Sequence, residues 1–266
     1  MKLFYWAIVI LSLGACKQNS QQTAATIKTT PGKTEEETLK AAYAQYPDSA
    51  STLQNLVEYY TYNENYDAAL ATINKAISRD SLNDTYWDMQ SIVAGLKGDT
   101  ALMINGLQHA IDIIPLPKYI ISLGAVFAQT KNPMALRLAD ALLVANKANA
   151  AVEANFIKGL YYSFTNQKDL AIPFYDKCIQ LQYTFMDAYI EKALALYDLQ
   201  QYQKAADVLI KAVTIQNNFD KGYYYLGRCF EKLNKKSDAI EAYQTALFYD
   251  PNYIEAQDAL GKLGVK

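Results

Sequence analysis

Between residue 39 and residue 263, apolar side chains recur at steps of three and four, and no alternating apolar–polar stretch of useful length interrupts them. Steps of three and four gather side chains on one side of an α-helix, whereas a half-buried strand needs a step of two. The pattern therefore predicts helices throughout. Leu39, Ala42, Tyr43 and Tyr46 form one such face near the start, and Ile254, Ala256, Leu260 and Leu263 predict a short helix near the end. Few Gly and Pro, with many Ala, Leu, Lys and Gln, agree with helix.

A second, longer period runs through the same region. Stepping back by 34 from Gly227 gives Ala193, Gly159, Ala125, Ser91 and Val57, nearly all small residues. From Ala239 the step gives Ala205, Ala171, Arg137, Met103 and Ala69, and from Ala246 it gives Ala212, Cys178, Val144, Ala110 and Ala76. A large column accompanies them: Leu53, Trp87, Ile121, Asn155, Tyr189 and Tyr223. Small side chains in phase let two helices approach closely, while larger ones fill the space between successive pairs. A fixed period of this size is the signature of stacked supersecondary units.

The stretch "KGYYYLGRCFEKLNKKSDAIEAYQTALFYDPN" carries Tyr223, Leu226, Gly227, Phe230, Ala239, Tyr243, Ala246 and Pro251 at repeat-specific places. It resembles a tetratricopeptide repeat (TPR). The resemblance implies an all-α fold, an α-solenoid of antiparallel helix pairs, with six repeats wound into a right-handed superhelix. Their expected limits are 50–83, 84–117, 118–151, 152–185, 186–219 and 220–253, flanked by capping helices at 34–49 and 254–266. Asp67, Asp169 and Ser237 share a column where second helices should start, and are expected as N-caps. With Asp169 as cap, Pro173 would fall near the first turn, where proline is tolerated. In the third repeat Arg137 interrupts an alanine column, with Ala135 and Ala139 beside it. Asn132-Pro133 reads as an early helix start, so a register slip is expected there.

Residues before the repeats carry a different message. Lys2 followed by Leu3 to Leu13 has the build of a signal peptide, and the apolar run is shorter than the about 20 residues a membrane span needs. It ends in Leu13-Gly14-Ala15-Cys16, which resembles the lipobox of bacterial lipoproteins. That resemblance implies cleavage after residue 15, diacylglycerol on the Cys16 sulfur and acylation of its new amino group; two or more chains anchor a protein stably. Lys17 stands where an inner-membrane retention Asp is often found, which favours the outer membrane, facing the periplasm. Residues 17–33, "KQNSQQTAATIKTTPGK", have too few large apolar groups to order themselves and are expected to form a tether reaching about 20–25 Å.

Composition removes several function classes. Loss of residues 1–15 takes out Lys2 and no acid, so the formal charge goes from −2 to −3, and no basic cluster offers a nucleic-acid footprint. There is one histidine, His109, expected on a solvated face. No metal-ligand spacing, nucleophile motif or phosphate loop is present, so neither metal, cofactor nor enzyme activity is expected. Cys178 and Cys229 occupy packing positions and read as buried small hydrophobes.

Function then rests on surface. The family resemblance implies that first helices line a concave groove that binds segments of other proteins. In repeats four to six the groove positions are Glu153, Phe156, Leu160 and Ser163; Asp187, Ile190, Leu194 and Tyr197; and Lys221, Tyr224, Arg228 and Glu231. Repeat one offers the polar set Ser51, Gln54, Glu58 and Thr61, and Glu58 speaks against a clamp for a terminal carboxylate. The candidate partner-binding set is thus Phe156, Leu160, Ile190, Leu194, Tyr197, Tyr224 and Arg228. It is either open to a partner or covered by the chain's own winding or C-terminal segment. The resemblance implies a non-enzymatic adaptor for an envelope protein, in secretion, outer-membrane assembly or cell-wall enzyme regulation. A second reading is glycan or small-ligand capture by Tyr161, Tyr162, Tyr197 and Tyr223 to Tyr225.

Overall fold

The step of 34 reappears in the backbone. The computed structural model describes residues 34–145 and 150–265. Among these are fourteen helices and no strand: α1 Glu35–Gln45, α2 Ala50–Tyr62, α3 Tyr66–Arg79, α4 Asp84–Lys97, α5 Thr100–Ile113, α6 Pro117–Gln129, α7 Met134–Ala145, α8 Ala151–Phe164, α9 Lys168–Leu181, α10 Met186–Asp198, α11 Tyr202–Ile215, α12 Asp220–Lys232, α13 Lys236–Tyr249 and α14 Ile254–Lys262. Cys16, the signal segment and the tether lie outside the described residues. Among the described residues no helix is long and apolar enough to cross a membrane.

The turn inside each pair is closed by one residue with a left-handed backbone: Glu64, Gly98, Lys131, Asn166, Gln200 and Asn234, with φ between 56° and 87°. A side chain there costs conformational energy for every residue but glycine, so its recurrence marks an imposed geometry. The third falls one residue early, at Lys131. Asn132 then accepts from the Met134 amide at 3.0 Å, and Ala135 and Ala139 are buried while Arg137 is exposed. The slip expected from Asn132-Pro133 is present.

Those same turns correct the expected N-caps. The caps are Asn65, Gln167 and Lys235, and Asp67, Asp169 and Ser237 lie inside the first turn. Asn65 accepts from the Ala68 amide, whereas Asp67 pairs with Lys97 at 2.6 Å. Pro173 consequently sits as the sixth residue of α9, past the first turn, where it withholds one backbone hydrogen bond. The left-handed residue ends the preceding helix so abruptly that the next is capped two residues before the expected column.

The chain divides into two compact units, residues up to Val126 and residues from Phe127. In the first, α1 packs on α2, and α2 to α5 pack in succession. Thr34 and Glu37 form a reciprocal capping box that starts α1. Arg79 holds that helix to α3, donating to the Tyr43 hydroxyl at 2.9 Å and the Pro47 carbonyl at 2.8 Å. Leu53, Ile73 and Ala69, each at most 1% exposed, centre its core.

In the second unit α7 to α14 pack in succession. Ala171, Cys178, Ala205, Ala212, Ala239 and Ala246 are fully buried, as the small columns require. Fully buried aromatic rings stand opposite glycines. A β-carbon on Gly159 would lie 2.5 Å from Tyr175 Cε1, and one on Gly227 2.6 Å from Tyr243 Cε1. One period between them the residues are Ala193 and Leu209, a larger first residue with a smaller second. The pairing keeps volume constant, as close packing demands.

Candidate functional site

The candidate residues all stand on α8, α10 and α12, the first helices of successive pairs in the second unit. These helices touch one another directly, α8 against α10 and α10 against α12. That contact decides which of the seven remain accessible. Phe156, Leu160, Ile190 and Tyr224 are buried, at 5%, 0%, 6% and 7% exposure. Leu194, Tyr197 and Arg228 are half-buried and reach the surface.

The buried four are held by their own chain. Phe156 packs edge-on against Phe185 with ring centres 4.9 Å apart, and on Tyr175 at 6.0 Å. Tyr224 meets Tyr225 at 5.1 Å and Tyr253 at 5.0 Å, so the segment leading into α14 covers part of repeat six. Ser163, also expected on the groove, is buried and shares a hydrogen bond with the Tyr175 hydroxyl at 3.0 Å. The polar set of repeat one behaves as expected from its composition: Gln54 donates to Glu58 at 2.7 Å in solvent.

What remains open is a small face with a cation at its centre. The Arg228 guanidinium carbon lies 5.0 Å from the Tyr197 ring centre, 5.6 Å from Tyr225 and 6.0 Å from Tyr224. Such contacts place positive charge over the negative faces of the rings. Tyr197 also meets Tyr202 edge-on at 5.0 Å, which fixes its ring. On the rim Lys168 pairs with Asp198 at 2.8 Å.

Beneath the face is a group the sequence did not single out. Glu191 on α10 is only 5% exposed. Burial, reinforced by the neighbouring Asp187 charge and opposed by Lys168, pushes its carboxyl up to about 8, so it is largely neutral at pH 7. Burial raises Asp187 as well, against the pull of Lys221. Glu191 stands beside the groove position Ile190, and the four-residue step from Asp187 was the available signal.

Other tyrosines considered for ligand capture are already engaged. Tyr162 stacks on Phe174 with planes 8° apart, and Tyr223 stacks on Tyr249 at 5.9 Å. His109 is exposed and stacks on Trp87 at 4.1 Å. Cys178 and Cys229 are buried free thiols, both pushed up to about 12 by burial.

Comparison with known proteins agrees with this geometry. Tetratricopeptide-repeat family models match residues 50–81, 152–185 and 187–219, and a further one matches 220–253; together they take in half of the chain. A tetratricopeptide repeat protein from Parabacteroides merdae ATCC 43184 is similar over 98% of this chain and 99% of its own, at 18% identity and a TM-score of 0.66. PilW, a type IV pilus biogenesis factor, is similar over 79% of this chain and 97% of its own, at 18% identity and a TM-score of 0.56. A thermophilic TPR protein of Thermus thermophilus is similar over 68% of this chain and 98% of its own, at 12% identity and a TM-score of 0.56. Stacked helix pairs of this kind present extended surfaces for protein–protein interaction. The chain belongs to the tetratricopeptide-repeat family.

Proposed function

We propose that this chain is a non-enzymatic adaptor of the bacterial cell envelope, tethered through a lipid on Cys16 and holding a segment of a partner protein against its second unit. The observation that carries the binding reading is the half-open face of Leu194, Tyr197 and Arg228, built from first helices that are otherwise closed against one another. Four of the seven candidate residues belong to the floor and shape this face; three meet the partner. Such a face suits an extended segment or one helix side, and a partner's side chains complete the contact between α10 and α12. The tether reading rests on Leu13-Gly14-Ala15-Cys16, and Lys17 favours an outer-membrane, periplasm-facing position.

Burial fixes how the reading is tested. Leu160 is fully buried, so an acidic residue there unfolds the unit and reports nothing about binding. Leu194→Asp combined with Tyr197→Ser alters only half-buried positions. Intact cells producing wild type or this variant are chemically crosslinked, and the protein is purified and its partners identified by mass spectrometry. The adaptor reading expects one envelope protein with wild type and its loss from the variant, with helical circular dichroism unchanged. Equal recovery by both removes the face from consideration. For the anchor, radiolabelled palmitate is expected in wild type and absent from Cys16→Ala; equal labelling of both refutes lipidation at Cys16.

A further inference from the structure

The cation at the centre of the face has no counter-ion. Among the described residues Arg228 makes no ion pair. None of the described acids around it reaches ion-pair distance of its guanidinium: Glu255, near Tyr224 and Tyr225, and Glu231 are exposed to solvent. Glu231, on the same helix, accepts from the Tyr243 hydroxyl, and Asp198 pairs with Lys168. Glu191 is held largely neutral at pH 7 by burial. A guanidinium stays charged, is planar, and carries N–H donors in a fork that matches a carboxylate. Its three ring contacts engage the π-faces of Tyr197, Tyr224 and Tyr225. Among the described residues no carboxylate fills that fork.

A charge partly withdrawn from water and left unpaired is a demand for an anion. We propose that Arg228 anchors the partner through an Asp or Glu side chain of the bound segment, with an apolar neighbour of that residue resting on Leu194. The inference rests on the adaptor reading and names the chemistry at its centre. A segment running past α10 and α12 meets Arg228 from the side, between tyrosine rings, which suits a side chain better than a chain end. The chain's own residues 17–33 are the wrong occupant, since they hold Lys17, Lys28 and Lys33 and no acid. Tyr197 and Tyr225 then flank the carboxylate and limit the water around it.

The test selects short random peptides displayed on phage against the full chain, then measures the enriched sequences as fluorescein-labelled, C-terminally amidated peptides by anisotropy. Enriched sequences are expected to share an internal Asp or Glu beside an apolar residue. Replacing that acid by its amide, or Arg228 by Gln, is expected to weaken binding about 10- to 100-fold, and both changes together no more than either alone. Arg228→Lys keeps the charge, loses the fork and is expected to lie between. Circular dichroism of each variant shows that the fold is kept. Binding that ignores both changes yet is lost in Leu194→Asp overturns the anchor and leaves the adaptor reading standing. Binding unaffected by Leu194→Asp, or no enrichment at all, refutes both. Two further outcomes overturn the assignment: dependence on a free C-terminal carboxylate, or a dimer of the full chain that Arg228→Gln dissolves, which makes a second copy the occupant.

Discussion

Gly227→Ala puts a methyl group where the fully buried ring of Tyr243 now lies. The new carbon would stand 2.6 Å from Cε1 and 2.8 Å from Cδ1. Ordinary carbon contacts are about 3.5–4.0 Å, so the ring must retreat by roughly 1 Å. It has nowhere free to go, because it is fully buried and its hydroxyl donates to Glu231. Overpacking of this kind costs about 1–3 kcal/mol, and alanine in a helix interior returns about 1 kcal/mol over glycine, so the net loss is about 0–2 kcal/mol. Tyr243→Leu alone opens a space in the core, at about 2–4 kcal/mol. The double variant recreates the Ala193 and Leu209 pairing one period earlier, so its cost is expected to fall about 1–2 kcal/mol short of the sum. The assay is urea unfolding of the full chain followed by circular dichroism, with Gly261→Ala as control. No neighbouring heavy atom lies within 4 Å of a β-carbon at Gly261, so propensity alone acts and a gain of about 0.5–1 kcal/mol is expected. A Gly227→Ala protein that gains as much stability as Gly261→Ala, or strict additivity in the cycle, refutes the packing argument.

Glu191 makes stability fall as pH rises. Its folded-state value, about 8, lies above the ordinary 4.5, so its contribution is fully present below pH 4.5 and is lost as pH rises through 8. The slope approaches about 1.4 kcal/mol per pH unit within that window. Glu191→Gln is therefore expected to match wild type near pH 4 and to exceed it by on the order of 3–5 kcal/mol at pH 9. Urea midpoints measured across that range check it, and a pH-independent difference contradicts it. The Cys178 and Cys229 thiols, pushed up to about 12 and buried, are expected to resist iodoacetamide at pH 8 until urea unfolds the chain; peptide mass spectrometry reads each site. Rapid labelling of either in the folded protein contradicts its burial.

The helix pairs were legible because small residues must recur wherever two helices press together, and a recurrence at 34 survives substitution among Gly, Ala, Ser and Cys. The slip at Asn132-Pro133 was legible too, since proline announces a helix start. The N-caps were not. The turns are closed by Glu64, Gly98, Lys131, Asn166, Gln200 and Asn234; a left-handed backbone favours Gly98 and the two asparagines but not Glu64, Lys131 or Gln200. At Glu64, Lys131 and Gln200 tertiary packing imposes that geometry on ordinary residues, and nothing local marks it. The face of α8, α10 and α12 was assigned from three- and four-residue spacing, which orients a side chain on its own helix. Whether Leu160 or Leu194 stays open depends on the helix one repeat away. The spacing also marked Arg228 as a groove residue without showing that it lacks an acid, because its potential partners sit on other helices.

A photoreactive crosslinking residue placed at position 197 in living cells tests the central claim most directly, with position 248 on α13, 78% exposed, as comparison. The account predicts one crosslinked protein from position 197, its disappearance when Leu194→Asp is added, and no equivalent product from position 248. A product from position 248 with none from position 197 would place the partner away from this face and contradict the account.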